Sequence, residues 1–192
     1  MLILLATLAT WACQPQKKDT ALPIMGRREV VMKEVNGQQV ADTVYHKVGD
    51  FSFVNQDSAT VTNATFADKI YVADFFFTTC PTICPLMKDQ MLRVYKRFKD
   101  NPQVAILSHT IDPEADSVGR LREYAGMLGV TSNSWHFVTG PKQKIYDMGQ
   151  KNYMVTAYED ANAEGGFMHS GTFILVDKDR HIRGMYDGLH KA

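Results

Sequence analysis

The order of apolar and polar positions divides this 192-residue chain into alternating strand and helix patterns. Arg27 to Val35 and Gln38 to His46 flank Asn36-Gly37, a pair that favours a two-residue hairpin because both residues tolerate positive φ. Phe51 to Asn55 and Thr60 to Asn63 read as short strands around a turn at Gln56-Asp57. Ile70 to Phe77 is the most apolar run and predicts a central strand, buried on both faces. From Ile83 to Phe98 the apolar residues fall at 83, 86, 87, 91, 94, 95 and 98, a helical stripe. Val104 to Thr110 predicts a second buried strand. Asp112-Pro113 is read as the start of a helix that runs to Leu128 and stops at Gly129. Trp135 to Val138 predicts a strand, and Pro141 to Gly149 a helix with proline first. Ala157 to Gly166 is polar and Gly-rich, a surface loop by this reading. Phe173 to Val176, a turn over residues 177–180, and His181 to Tyr186 form a closing hairpin. Strands alternating with helices and ending in a hairpin predict an α/β sandwich of thioredoxin type with a central mixed sheet. The first hairpin is an N-terminal extension, and a loop or hairpin is inserted before residue 169. That fold ordinarily ends in a further helix; here the sequence stops at Ala192, six residues after the last predicted strand.

Composition narrows the function. Lys plus Arg and Asp plus Glu are both 21, and hydrophobic residues make up 45%. That fits one domain with a substantial core, and no basic stripe with interleaved aromatics suggests a nucleic-acid partner. The three cysteines are too few for a disulfide-stapled mini-fold. Met1 to Ala12 is apolar, too short to span a bilayer, and ends in small residues before Cys13. It matches the apolar core of an export signal without the basic start. Gln14 to Ala21 is polar, a tether. The expected division is 1–13 signal, 14–22 tether and 23–192 a single domain.

The chemistry concentrates at Thr78-Thr-Cys-Pro-Thr-Ile-Cys-Pro-Leu86. Cys80 and Cys84 stand at a predicted strand-to-helix junction, where amides of a helix start favour thiolate. Metal binding, redox chemistry and a structural disulfide all fit two such thiols. The disulfide is the weakest reading, since so short a loop gives only about 2 kcal/mol on the chain-entropy estimate. Thiol oxidoreductases of this fold use Cys-x-x-Cys and a proline before the facing strand. Here the spacer has three residues, and the facing segment reads Met168-His169-Ser170-Gly171-Thr172, without proline. Two thiolates and an imidazole make a three-ligand site suited to copper, whereas structural zinc wants a fourth ligand.

Together, Cys80-Pro-Thr-Ile-Cys-Pro85, Thr110-Ile-Asp-Pro113, Trp135-His-Phe-Val-Thr-Gly140, His169 and Tyr186-Asp-Gly188 resemble the Sco/SenC family of copper chaperones over roughly Val48 to Gly188. The resemblance implies an exported, membrane-tethered, thioredoxin-like protein that binds copper through Cys80, Cys84 and His169. It implies copper from an upstream donor, and delivery to the dinuclear copper centre of cytochrome c oxidase subunit II or reduction of its thiols. The leader resembles a bacterial lipoprotein signal, which would make Cys13 the lipidated residue on the periplasmic face of the inner membrane. A general thiol–disulfide reductase is the alternative. A peroxiredoxin-like peroxidase fits poorly, because Thr78 lies two residues before Cys80 rather than three.

Other residues are weighed against plainer roles. Pro81 and Pro85 shape the loop, and Pro85 lacks an N–H that an early helical position would leave unpaired. Asp112 is read as a helix N-cap. His109, at a predicted strand end, is a candidate auxiliary ligand. His46, His136, His181 and His190 read as surface or partly buried. Met87, Met91 and Met168 read as core filling before copper ligation. Asp74, inside the apolar strand, is either a hydrogen-bonded carboxylate or a proton carrier for the thiols.

Overall fold

The computed structural model describes residues 21–190. Its main sheet has seven strands in the order β11-β10-β5-β6-β7-β3-β4. Three are parallel and central: β5 (Ile70–Phe76), β6 (Val104–Thr110) and β7 (Trp135–Thr139). β10 (Thr172–Val176) and β11 (Ile182–Asp187) close one side as an antiparallel hairpin. β3 (Ser52–Asn55) and β4 (Thr60–Thr62) close the other. This is the mixed sheet and thioredoxin-like arrangement that the pattern predicts. Its centre carries Phe75, Leu107 and Phe137, each no more than 1% exposed.

The N-terminal extension is a separate hairpin, β1 (Arg28–Val35) and β2 (Gln38–Tyr45), in register from Arg28↔Tyr45 to Val35↔Gln38. Asn36 and Gly37 both take positive φ, 53° and 76°, as a hairpin turn of this length requires.

Helix α1 (Cys84–Phe98) buries Cys84, Met87, Met91 and Tyr95, one side of its apolar stripe. Helix α2 is shorter than the sequence suggests, spanning Val118–Met127 with Ser117 as its cap. Asp112 therefore caps a turn and not the helix: its Oδ1 accepts the Ala115 amide at 3.3 Å. Helix α3 covers Lys142–Asp147 with Pro141 at the cap, and the chain continues as a wider π turn over Met148–Asn152. A Cβ on Gly149 would lie 2.6 Å from that of Ala157, so this turn packs only with glycine there.

The expected surface loop is partly ordered. β8 (Ala157–Glu159) pairs antiparallel with β9 (Phe167–His169), so the segment inserted before the closing hairpin is a short ribbon. No helix among the described residues is long and apolar enough to cross a membrane. Cys13 and most of the predicted tether lie outside the described residues.

Candidate metal centre

Cys80, Cys84 and His169 come together at the end of β5. Their Sγ, Sγ and Nε2 atoms all lie within 4.8 Å of one another. Each reaches the site by a different route. Cys80 sits in the loop after β5, its amide donating to the Phe77 carbonyl at 3.2 Å. Cys84 is the first residue of α1, with Pro85 behind it. His169 ends β9, and the pairing Ala157↔His169 sets its position along the ribbon. Phe77 packs against both Phe167 and the His169 ring, at centroid distances of 5.1 and 5.8 Å. Gly165 lets the ribbon's loop close on the thiol loop. It has φ +81°, and a Cβ there would meet Phe77 at 2.9 Å and Pro81 at 3.2 Å.

The three groups lie within reach of one another. His169 Nε2 lies 3.2 Å from Cys84 Sγ and 3.9 Å from Cys80 Sγ. Nδ1 lies 3.3 Å from the Ser170 carbonyl, which can only accept, so Nδ1 carries the ring proton and Nε2 turns its lone pair to the thiols. The thiols are unequal. Its place beside the Cys84 thiol holds Cys80 well below the usual thiol range, and the amides of Thr82 and Cys84 act in the same sense. The same pairing, joined by burial, pushes Cys84 up. The helix-start effect expected from the sequence thus falls on Cys80, because Cys84's own amide points to it. Both cysteines are free and nearly enclosed, 9% and 5% exposed.

This donor set suits a soft ion. Two sulfurs and one imidazole nitrogen converge with no carboxylate among them, a combination that favours Cu(I) over hard cations and lacks the fourth ligand of a structural zinc site. Beside it lies a cleft of about 200 Å³, bordered by Phe77, Thr82, Ile83, Phe167 and Met168. A second cluster, Asp177, Asp179 and His181, sits on the β10–β11 turn. There the Asp177 carboxylate is already engaged by the amides of Asp179 and His181 and by Arg183, which marks a braced turn.

The remaining candidates separate. His109 is fully buried on the other face of the sheet from α1, ringed by Phe51, Phe53, Phe75 and Tyr153, and is no part of the cluster. His136 is buried, against expectation, beside Asn55. His46, His181 and His190 are partly or fully exposed. Met87 and Met91 are core residues, whereas Met168 is 42% exposed at the cleft because β9 turns it away from Phe167 and His169. Asp74 is buried and accepts the Ser108 hydroxyl at 2.5 Å; burial raises its pKa to about 6.

The SCO1/SenC family model matches residues 39–192. The chain belongs to the SCO1/SenC family. A curated relative, the SCO1 protein homolog of Bacillus subtilis, is 32% identical over 158 residues, which is 81% of each chain. The structure is similar to that of BsSco, described as a member of the Sco family of cytochrome c oxidase assembly proteins with a disulfide switch. There the identity is 30%, the TM-score 0.67, and the match covers 76% of this chain and 86% of that one. It is also similar to yeast Sco1 with copper bound, at 25% identity and TM-score 0.57, over 74% and 82% of the two chains. Sequence reasoning passed over one group beside the site. Asp116 is 1% exposed and binds Thr78, 38 residues away in sequence, a separation that left no local signal.

Proposed function

We propose that this protein carries copper on Cys80, Cys84 and His169 and delivers it to the dinuclear copper centre of cytochrome c oxidase subunit II during oxidase assembly. The observation that carries the reading is the convergence of two thiols and one imidazole lone pair, with no competing carboxylate. Copper here is cargo. Binding must displace the proton that Cys84 holds, so loading is coupled to proton release. Both sulfurs must be reduced, since a disulfide offers no thiolate. Relatives described as copper-bound and as oxidase assembly proteins support this acceptor class. An upstream donor supplies the copper, and lipid on Cys13 holds the domain at the periplasmic face of the inner membrane.

The experiment is copper transfer. Reduced full-length protein loaded with one equivalent of Cu(I) should pass it to a reduced oxidase copper domain. Copper that stays behind, or a protein that retains none at micromolar concentration, would contradict the reading. Fractionation tests the anchor separately: Cys13→Ser should leave the membrane fraction, and its remaining there would show that Cys13 is not the anchor.

The inequality of the thiols favours a second reading. Cys80, ionised first, is the one able to attack a disulfide, and Cys84 the one able to resolve the mixed disulfide. A reductase acting on the oxidase copper-site thiols would use that order. Rapid turnover of such disulfides with no copper retained would shift the assignment to this reading.

A further inference from the structure

We propose that Asp116 is a positioning residue for the copper loop and acts through Thr78, a role that rests on the copper-binding reading above. Asp116 is 1% exposed, and a buried carboxylate is costly unless its oxygens are fully engaged. Three donors meet it. The Thr78 amide reaches Oδ2 at 3.0 Å, the Thr78 hydroxyl reaches Oδ1 at 2.5 Å, and the Thr110 hydroxyl reaches Oδ2 at 2.5 Å. Arg120 Nε then donates to the Thr78 hydroxyl oxygen at 3.1 Å, so both sides of that hydroxyl are committed.

The placement explains the expense. Thr110 is the last residue of β6, and the Ile111 amide donates to the Phe76 carbonyl at the end of β5 at 2.8 Å. Asp116 itself is tied back, its amide donating to the Asp112 carbonyl at 2.9 Å. The carboxylate therefore joins the end of β6 to Thr78, two residues before Cys80, while the Ile111 amide ties that strand end to β5. The far end of the loop is fixed by α1, which begins at Cys84. With both ends held, the three-residue spacer has little freedom, and the sulfurs are kept where His169 can join them. Preorganisation of this kind lowers the ordering cost of binding. The donors in direct contact with the carboxylate oxygens are the Thr78 amide and the Thr78 and Thr110 hydroxyls, and Arg120 reaches the group only through the Thr78 hydroxyl, so the contacts fall on the loop itself.

The test uses the full chain with Thr78→Val, Thr78→Ser, Asp116→Asn and, as a stability control, Ser117→Ala. Ser117 caps α2 and has no contact with Thr78 in this network. Cu(I) affinity is read by competition with a chromogenic chelator, and amide hydrogen exchange is read on the metal-free protein. Thr78→Val and Asp116→Asn should bind copper roughly 10-fold to 100-fold more weakly, the range for groups that orient metal ligands. Thr78→Ser, which keeps the hydroxyl, should stay within about twofold, and so should Ser117→Ala although it loses the side-chain cap of α2. Exchange should quicken at residues 78–84 in Thr78→Val and stay unchanged in β5 and β6. Affinity of Thr78→Val within twofold of the parent, an equal loss in Ser117→Ala, or exchange that rises evenly through the domain would overturn the proposal. Should the parent retain no copper, the functional reading fails, and the exchange pattern alone decides whether Asp116 holds the loop.

Discussion

His169 and His109 both approach the end of the sheet where the thiols lie, in opposite chemical circumstances. His169 is partly exposed, has its tautomer set by the Ser170 carbonyl, and turns a free lone pair to two sulfurs. His109 is completely enclosed, stacked on Phe75 at 5.0 Å, and neither ring nitrogen has a partner. Proximity to the functional end of an α/β sheet therefore does not make a histidine a ligand. The face of the sheet and the groups opposite decide it. Side chains along β6 alternate between the two faces, so His109 points to the face where Phe51, Phe53, Phe75 and Tyr153 gather, while Ser108 points to Asp74 on the other.

Mutating each histidine should separate the two roles. His169→Ala should weaken Cu(I) binding by more than about 100-fold, since losing a ligand exceeds the roughly 10-fold to 100-fold effect of losing a supporting group. His109→Ala should change copper affinity less than about twofold. Equal losses in a chelator competition would show that the nitrogen ligand has been misassigned.

Stability should rank them in reverse. His109→Ala leaves a cavity among four aromatic rings and should cost about 3 kcal/mol by denaturant unfolding, as large-to-small core changes do. His169→Ala in metal-free protein should cost less than about 1 kcal/mol, since the ring is partly exposed. His109→Leu removes two unpaired nitrogens at similar volume and should leave the protein as stable as the parent or more so. A loss as large as that of the alanine variant would mean that the imidazole has a partner after all.

A pH series sharpens the contrast further, and with a smaller effect. Burial lowers the His109 pKa from 6.5 to about 3. Its folded pKa lies below its unfolded one, so the neutral ring is the folded form. That contribution is complete above about pH 6.5 and is lost as pH falls toward 3, by up to a few kcal/mol. Asp74 has the opposite sign: burial raises it from 3.8 to about 6, so its contribution is present below pH 4 and lost as pH rises through 6. The two oppose each other between pH 4 and 6. His109→Leu should become less stable relative to its own value at pH 4 as pH rises to 6. Asp74→Asn should gain stability over the same interval. Parallel slopes in the two variants would contradict the assignment of opposite burial effects.

These contrasts also mark what the amino-acid pattern could and could not convey. Ile70 to Phe77 and Val104 to Thr110 are legible as strands because strands covered on both faces are apolar throughout. Asn36-Gly37 announces its hairpin by backbone preference alone. Asp112-Pro113 resembles a helix start, yet the helix begins at Val118, because Thr78 and Thr110 draw Asp116 into the sheet end and Ser117 supplies the cap. The strand Ala157–Glu159 is hidden by its shortness and by the Gly-rich turn that follows. At the site, the thiol pair is visible from spacing, and His169 from its place before the closing hairpin together with the resemblance. The environment of His109 and the link from Asp116 to Thr78 depend on contacts between distant segments, which no local pattern records.

X-ray absorption on the Cu(I)-loaded, reduced protein tests the central claim most directly. The account predicts two sulfur scatterers and one imidazole nitrogen, with the nitrogen lost in His169→Ala and retained in His109→Ala. A shell of four sulfurs, a shell with none, or an unchanged spectrum in His169→Ala would contradict it.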